Sequence, residues 1–508
     1  MCHSVPIRLL LFRSLQVKHF LTATLLAACS SVLFAQSGSP TSSASDVHFS
    51  ASVRERTNVT QWFAATPNAE QYAHQDSLVR LAVWQRMHHW DYQLELGQSA
   101  ELWLPTDAVS TVSAQGQLGL GGTYYASNSN NDMPAAASFR QGFLRYHFAD
   151  DKSAIRIGRF EFFEGQETTP GNSTLAWLQT NRVAQRLVGN FGFSNGQRSF
   201  DGADAKLGGK DWDLTAMAGR AIQGVFNMNA NPELNVDIQY LAYTRSLARQ
   251  HVLLRGFGLG YHDGRTGLTK TDNRSAAARA QDHKNIRIGT YGGDMIATAP
   301  VATGVTADVV LWGAGQFGSW GKLGDSAGAV AAEGGLHLDS VRTTPWIRGG
   351  YFRSTGDNNA TDGTHNTFFQ VLPTPRVYAR FPFYNLMNST DSFAQVVDKP
   401  SKRIDLRSDL HFLKLTSASD FWYQGGGAFD NTVFGYTGRP ANSHNSFSSV
   451  FDASADIALT KQLSLGTYYA HAYGKSVIGA IYPKATGANY GFFELDYKFQ
   501  GLLSRSSY

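Results

Sequence analysis

The 508-residue chain carries a formal charge of +4, with 44 basic and 40 acidic side chains distributed throughout, so no global field or basic run marks it for nucleic acid. Its two cysteines, Cys2 and Cys29, both fall within residues 1–35, which excludes a disulfide framework or a thiolate metal site from the remainder. Beyond residue 35 no run of about 18 apolar residues occurs, which excludes a transmembrane helix there.

Residues 1–35 read as a secretory signal peptide: Arg8, Arg13 and Lys18 without an acid, then the apolar run "FLTATLLAACSSVLF" and a small boundary residue, Ala35. "LAAC", Leu26 to Cys29, leaves a lipoprotein signal as the alternative. Against it, the apolar run continues through Val32, Leu33 and Phe34, where polar residues ordinarily follow a lipidated cysteine. Cleavage after Ala35 lowers the charge from +4 to +1, because three basic residues leave. Residues 36–46, "QSGSPTSSASD", form a polar leader, and no other stretch reads as a linker.

From residue 47 onward the recurring period is two, broken by Gly, Asn, Asp and Ser turns. "WDYQLELG" sets Tyr92, Leu94 and Leu96 against Gln93 and Glu95; "NVDIQY" sets Val236, Ile238 and Tyr240 against Asp237 and Gln239. "GFGLGY", Gly256 to Tyr261, opens no helix and reads as a strand with a glycine-lined interior face, not a nucleotide loop. Only "SAAARAQDH", Ser275 to His283, hints at a helix. "RIDLRSDLHF" alternates Ile404, Leu406, Leu410 and Phe412 with Asp405, Arg407, Asp409 and His411. "YGFFELDYKF" alternates Phe493, Leu495, Tyr497 and Phe499 with Glu494, Asp496 and Lys498.

A soluble sandwich also alternates. Secretion, the absence of cysteine from the mature chain and a composition of 50 Gly, 32 Phe and 21 Tyr favour the all-β alternative, a transmembrane antiparallel β-barrel. Hydrocarbon leaves no unpaired backbone group tolerable, so its strands must close into a ring. At roughly 26 residues per strand and connection, residues 47–499 hold about 18 strands with long extracellular loops, and residues 500–508 form a C-terminal tail. The location implied is the bacterial outer membrane.

If apolar faces meet lipid, the polar faces line a lumen. Arginines sit between apolar neighbours at Val79-Arg80-Leu81, Ile155-Arg156-Ile157 and Ile286-Arg287-Ile288; Arg348 beside Ile347 and Arg407 beside Leu406 share that phase. A guanidinium at the bilayer midplane costs about 2–4 kcal/mol, so each is expected to point inward. Acids occupy the same phase at Glu95, Asp237, Asp405, Asp409, Asp456 and Glu494, so a given arginine belongs either to a constriction or to a cross-strand ladder. His88 and His89 point to opposite faces of one strand end, which disfavours a shared metal. No G-x-S-x-G motif or other nucleophile site is recognisable, and no cofactor and no metal is expected.

The segments "IRIGRFEFFEGQE" (Ile155 to Glu167), "NRVAQR" (Asn181 to Arg186), "RSFDGADAKL" (Arg198 to Leu207) and "NTFFQVLPT" (Asn366 to Thr374) follow one another in a characteristic series. With it, nearly the whole mature chain resembles the alginate export family of outer-membrane barrels. The resemblance implies a monomeric barrel of 18 strands whose arginine-rich constriction, narrowed by long loops and a periplasmic turn, passes an anionic polyuronate out of the cell, with a periplasmic export machinery as partner. By position it places Arg156, Arg159, Arg182 and Arg186 at or near that constriction. The acids of the wall depart from a purely basic pore.

Residues 355–403 hold few strand-like runs and read as one long excursion between strands at Trp346 to Arg353 and Ile404 to Leu413; residues 264–284 and 431–446 look similar. Counted from Asp357, a calcium hand fails at its sixth position, Asp362, and its twelfth, Phe368, leaving only a weak site of loop oxygens open. Phe368, Phe369 and Pro373 read as packing residues. The function expected is a passive, non-enzymatic channel for an acidic polysaccharide or its fragments; the alternatives are a general or oligosaccharide-uptake porin, and a surface enzyme or adhesin built on a barrel.

Overall fold

The computed structural model describes residues 46–504 apart from 67–68, 150–151, 249–250 and 375–378. The signal peptide and nearly all of the polar leader expected above lie outside the described residues. The wall begins with β1 (Val47–Gln61), β2 (Gln71–Arg86), β3 (Trp90–Leu102), β4 (Ala135–His147), β5 (Ala154–Phe160) and β6 (Phe200–Gly208). It continues through β7 (Trp212–Ile222), β8 (Glu233–Leu247), β9 (Val252–Asp263), β10 (Ile286–Ala302), β11 (Val305–Trp320) and β12 (Leu323–His337). It ends with β13 (Trp346–Ser354), β14 (Ser389–Ser401), β15 (Ile404–Leu415), β16 (Ser446–Ala458), β17 (Leu463–Gly474) and β18 (Gly487–Ser504). Each strand pairs antiparallel with the next, and β1 closes on β18 with Val53 opposite Tyr497, so the ring has no free edge.

Connections at one end are short, such as residues 87–89, 303–304 and 402–403, whereas residues 103–134, 161–199, 264–285, 355–388 and 416–445 connect strands at the other. Short turns mark the periplasmic side of such a barrel and long loops the outer side. Outward residues form the bilayer face, with Leu81, Leu96, Ile157, Leu241, Val330 and Ile347 all exposed.

The long connections fold inward. Phe369, buried, packs edge-on against Tyr261 at 5.1 Å, Trp320 at 5.2 Å and Tyr436 at 5.7 Å, joining residues 355–388 to the wall and to a loop hairpin, Phe421–Gly425 with Tyr436–Pro440. Arg198, fully buried, donates to the carbonyls of Gly189, Leu372, Gly426 and Ala428 and so ties three loops together.

This apolar filling reverses part of the expected phase. On β8, Val236, Ile238 and Tyr240 are buried against the inserted loops, and Asp237 and Gln239 take the outer face. On β9, Phe257, Leu259 and Tyr261 point inward, so the glycines of "GFGLGY" lie outside, not inside. An apolar stripe marks a buried face, and here both sides of the wall bury one. Two boundaries also differ from expectation. Residues 389–401 form β14, which shortens the excursion to 355–388, and β18 runs to Ser504, beyond residue 499. The β14 strand is hard to read because "STDSFAQVVDKPS" carries its apolar residues, Phe393 and Val397 among them, in a mostly polar run. The hinted helix is present as Ala276–Ala280, with the Ser275 side chain accepting from the Ala278 N–H at its start.

Candidate functional site

Residues 161–199 leave β5, enter the lumen and return at β6. Asn172 caps a helical turn, Ser173–Leu178, by accepting from the N–H groups of Thr174 and Leu175, and a wider turn, Gln179–Val183, follows it. These turns bring Arg182 and Arg186, four residues apart and both fully buried, to one carboxylate on the wall. Arg182 Nε lies 2.6 Å from Glu333 Oε2 and Arg186 Nη2 lies 3.1 Å from Oε1. From β13, Arg348 Nη2 reaches the same Oε2 at 3.4 Å and Asp308 Oδ1 at 3.0 Å. Three guanidiniums thus share Glu333, with Asp308 as the second acid.

Aromatic faces support each cation. Arg182 lies 4.7 Å from the Phe393 ring centre, Arg186 5.1 Å from Trp312, and Arg348 5.1 Å from Trp346. Register extends the cluster sideways: Gln395 stands opposite both Arg348 and Asp409, and its amide donates to Asp409 at 2.5 Å. Arg407 Nε donates to the other Asp409 oxygen at 2.5 Å. The lumen here carries Arg182, Arg186, Arg348 and Arg407 against Glu333, Asp308 and Asp409.

The remaining expected site residues lie elsewhere. Arg80 faces the lumen but pairs with Glu95 and, at 3.1 Å, with Glu161. Arg156 pairs with Asp204 across the β5–β6 register. Asp405 lies at the short-turn end, half exposed and 2.8 Å from Lys399. Two expectations are corrected outright. Arg287 is exposed on the outer face, because Ile286 and Ile288 are the buried, inward residues there. Arg159 also faces outward: it pairs with Asp201 at 2.6 Å and lines, with Ile157 and Phe139, an open depression of about 670 Å³ on the bilayer side. In the same outer row, register continues from Asp201 to Arg220 and Asp237, where Arg220 Nε lies 3.0 Å from Asp237 Oδ1, so Arg159 and Arg220 each have an acid beside them on the outer face; the row then runs through His262 to Arg287.

Glu333, the hub, escaped the sequence reading. It lies in "AVAAEGGLH", where Ala and Gly leave no alternation to assign its face. A second lumen cluster was missed as well: Arg255, buried, reaches Asp294 at 2.6 Å, Glu164 at 2.7 Å and the Tyr240 hydroxyl at 2.9 Å. Its only sequence signal was a lone arginine after "VLL".

A closed antiparallel ring, an apolar outer belt and a charged lumen are the parts of an outer-membrane channel, and the family model for alginate export matches residues 46–492. The chain belongs to the alginate export family. No curated protein matches it. Among solved structures, the fold is similar to that of Acinetobacter baumannii OccAB2, with a TM-score of 0.57 at 9% identity over 89% of this chain and 98% of that one. It is also similar to A. baumannii OccAB1, at 0.55, 9%, 92% and 100% on the same measures. Pseudomonas aeruginosa OpdK, solved with vanillate, gives 0.53, 7%, 89% and 99%. At such identities the likeness is one of fold. Family and fold together make this member of the alginate export family an outer-membrane channel, and they point to a non-enzymatic one.

Proposed function

We propose that the channel passes an anionic polysaccharide, alginate or a similar polyuronate or its fragments, outward across the outer membrane, and that Arg182, Arg186 and Arg348 contact it. The observation that carries this reading is the seating of Glu333. A carboxylate already occupies a pocket of three guanidiniums inside the lumen, and a uronate carboxylate has the same planar, two-oxygen acceptor geometry. Exchange of Glu333 for successive uronates gives each unit a favourable contact without a deep trap, as conduction requires. The outward direction rests on the family to which the chain belongs.

A second reading, passage of small acidic solutes, is favoured by the packing of Phe369 among Tyr261, Trp320 and Tyr436, which a polymer must displace. Single-channel recording in planar bilayers separates the two. Under the first, polymannuronate blocks the current, a neutral glucan does not, and Arg182→Ala weakens the block. Block by small carboxylates alone would favour the second, and free passage of ions of both signs without block by any of these would overturn both.

A further inference from the structure

Toward the long-loop ends of β2 and β3 the wall holds a buried polar cluster that the proposed substrate path does not use. His74 and Asp76 lie two residues apart on β2 and so share a face, and Glu101 on β3 is the register partner of Asp76. His74 and Glu101 are 0% exposed and Asp76 1%. One nitrogen of His74 and one oxygen of each acid lie within 4.8 Å of one another, with His74 Nε2 3.3 Å from Asp76 Oδ1.

Among the described residues, nothing hydrogen-bonds to His74 Nδ1 or donates to either oxygen of Glu101. The hydroxyl of Tyr124, whose fully buried ring packs edge-on to His74 at 6.1 Å, is also without a partner. Buried polar groups are ordinarily hydrogen-bonded, so several unpartnered atoms around one point mark a place suited to a bound ion.

Charge selects what binds. Arg56 is engaged by Glu494, through Nε at 2.8 Å and Nη2 at 2.5 Å, and reaches Asp76 only at 3.4 Å. Arg54 lies 3.8 Å from Glu494 and spends its donors on Gly192, Ser194 and Asn195 of the inserted segment. Arg54 and Arg56 together oppose Glu494 and one further acid, and Asn58 Nδ2 donates to Asp76 Oδ1 at 2.7 Å, so of the two adjacent carboxylates, Asp76 and Glu101, one is left without a counter-charge, a deficit that a bound cation removes. The imidazole nitrogen in the set disfavours calcium and magnesium, which take oxygen, and suits zinc. Zinc bond lengths near 2.1 Å in a tetrahedron separate neighbouring ligand atoms by about 3.4 Å, close to the His74–Asp76 spacing.

We propose that His74, Asp76 and Glu101 bind one zinc ion, which clips β2 to β3 beneath the segment that carries Tyr124. Full-length barrel extracted from outer membranes is loaded with zinc, desalted and assayed for metal content and by calorimetry, beside His74→Gln and Glu101→Gln. The expected result is about one zinc per barrel, an affinity at least tenfold weaker in both variants, and weaker binding of calcium than of zinc. X-ray absorption of zinc-loaded wild type, expected to show nitrogen and oxygen ligands with a single imidazole, decides the matter even where a variant fails to fold. Absence of retained zinc, undiminished binding in both variants, preference for calcium, or a shell with no imidazole or with two would overturn the assignment; the last would move the ion to a pair such as His88 and His89.

Discussion

Arg182 Nε sits 2.6 Å from Glu333 Oε2, and both side chains are completely shielded from solvent. One belongs to a segment inserted into the lumen and the other to the wall, so this contact fastens the insert to the barrel. Its strength comes from the low-dielectric setting and from the second and third guanidiniums, Arg186 and Arg348, that share the carboxylate.

Glu333→Gln leaves those guanidiniums buried around a neutral amide. Breaking a buried pair by removing one partner costs about 3–5 kcal/mol, so a loss of that order is expected in equilibrium urea unfolding of the barrel in lipid. The same variant should raise the frequency of high-conductance openings, since the insert loses its fastening. A barrel of unchanged stability and gating would show that the insert is held by its aromatic contacts instead.

Arg348 and Arg287 differ in what a substitution should do. Arg348→Ala removes a lumen cation and should weaken block by polymannuronate about tenfold, the worth of one charge-assisted contact of about 1.5 kcal/mol. Arg287→Ala alters the outer face and should leave block and conductance unchanged in the same recordings. Equal effects of the two substitutions would contradict the placement of Arg287 outside.

That contrast shows what a sequence can specify in a barrel. Alternation reports strand and period whichever face is buried, and it served well where the inside is wet: Glu95 between Leu94 and Leu96, or Asp409 and His411 alternating with Leu410 and Phe412. It assigns a face only through an assumption about what lies inside. At Ile286 and Ile288 the inside is packed, so the apolar pair turns inward and Arg287 outward. The candidate site was legible in part for a related reason. Arg182, Arg186 and Arg348 could be named from local context and resemblance, but their meeting at Glu333 brings together residues about 150 positions apart along the chain, beyond the reach of any local pattern.

On the outer face, Arg159 and Asp201 form a two-point pair, with Nε and Nη2 each 2.6 Å from a carboxylate oxygen. Either charge alone would face the bilayer side unmatched, where an arginine costs up to about 2–4 kcal/mol depending on depth. A double-mutant cycle with Arg159→Ala and Asp201→Ala should therefore give a coupling energy of about 1–3 kcal/mol by urea unfolding in lipid. Channel block should be unaffected in all three variants, because neither side chain reaches the lumen.

Asp420, in the loop between β15 and β16, supplies a pH dependence. Burial pushes its carboxyl above the usual carboxylate range, even though Thr367 and Tyr423 hydroxyls and the Asp357 N–H donate to it. A carboxyl whose folded pKa is raised binds its proton more tightly when the loop is packed. Its stabilising contribution is therefore complete below the unfolded value of 3.8 and is lost as pH rises through the raised folded value. The junction of residues 355–367 with residues 416–425 should accordingly open more readily as pH is raised above 4. Amide exchange of these residues, corrected for the intrinsic rate at each pH, should show falling protection over that range in the wild type. In Asp420→Asn, whose amide stays neutral, the slope should shrink to the part contributed by Asp357, whose carboxyl burial also raises, and an undiminished slope would assign the effect to another group.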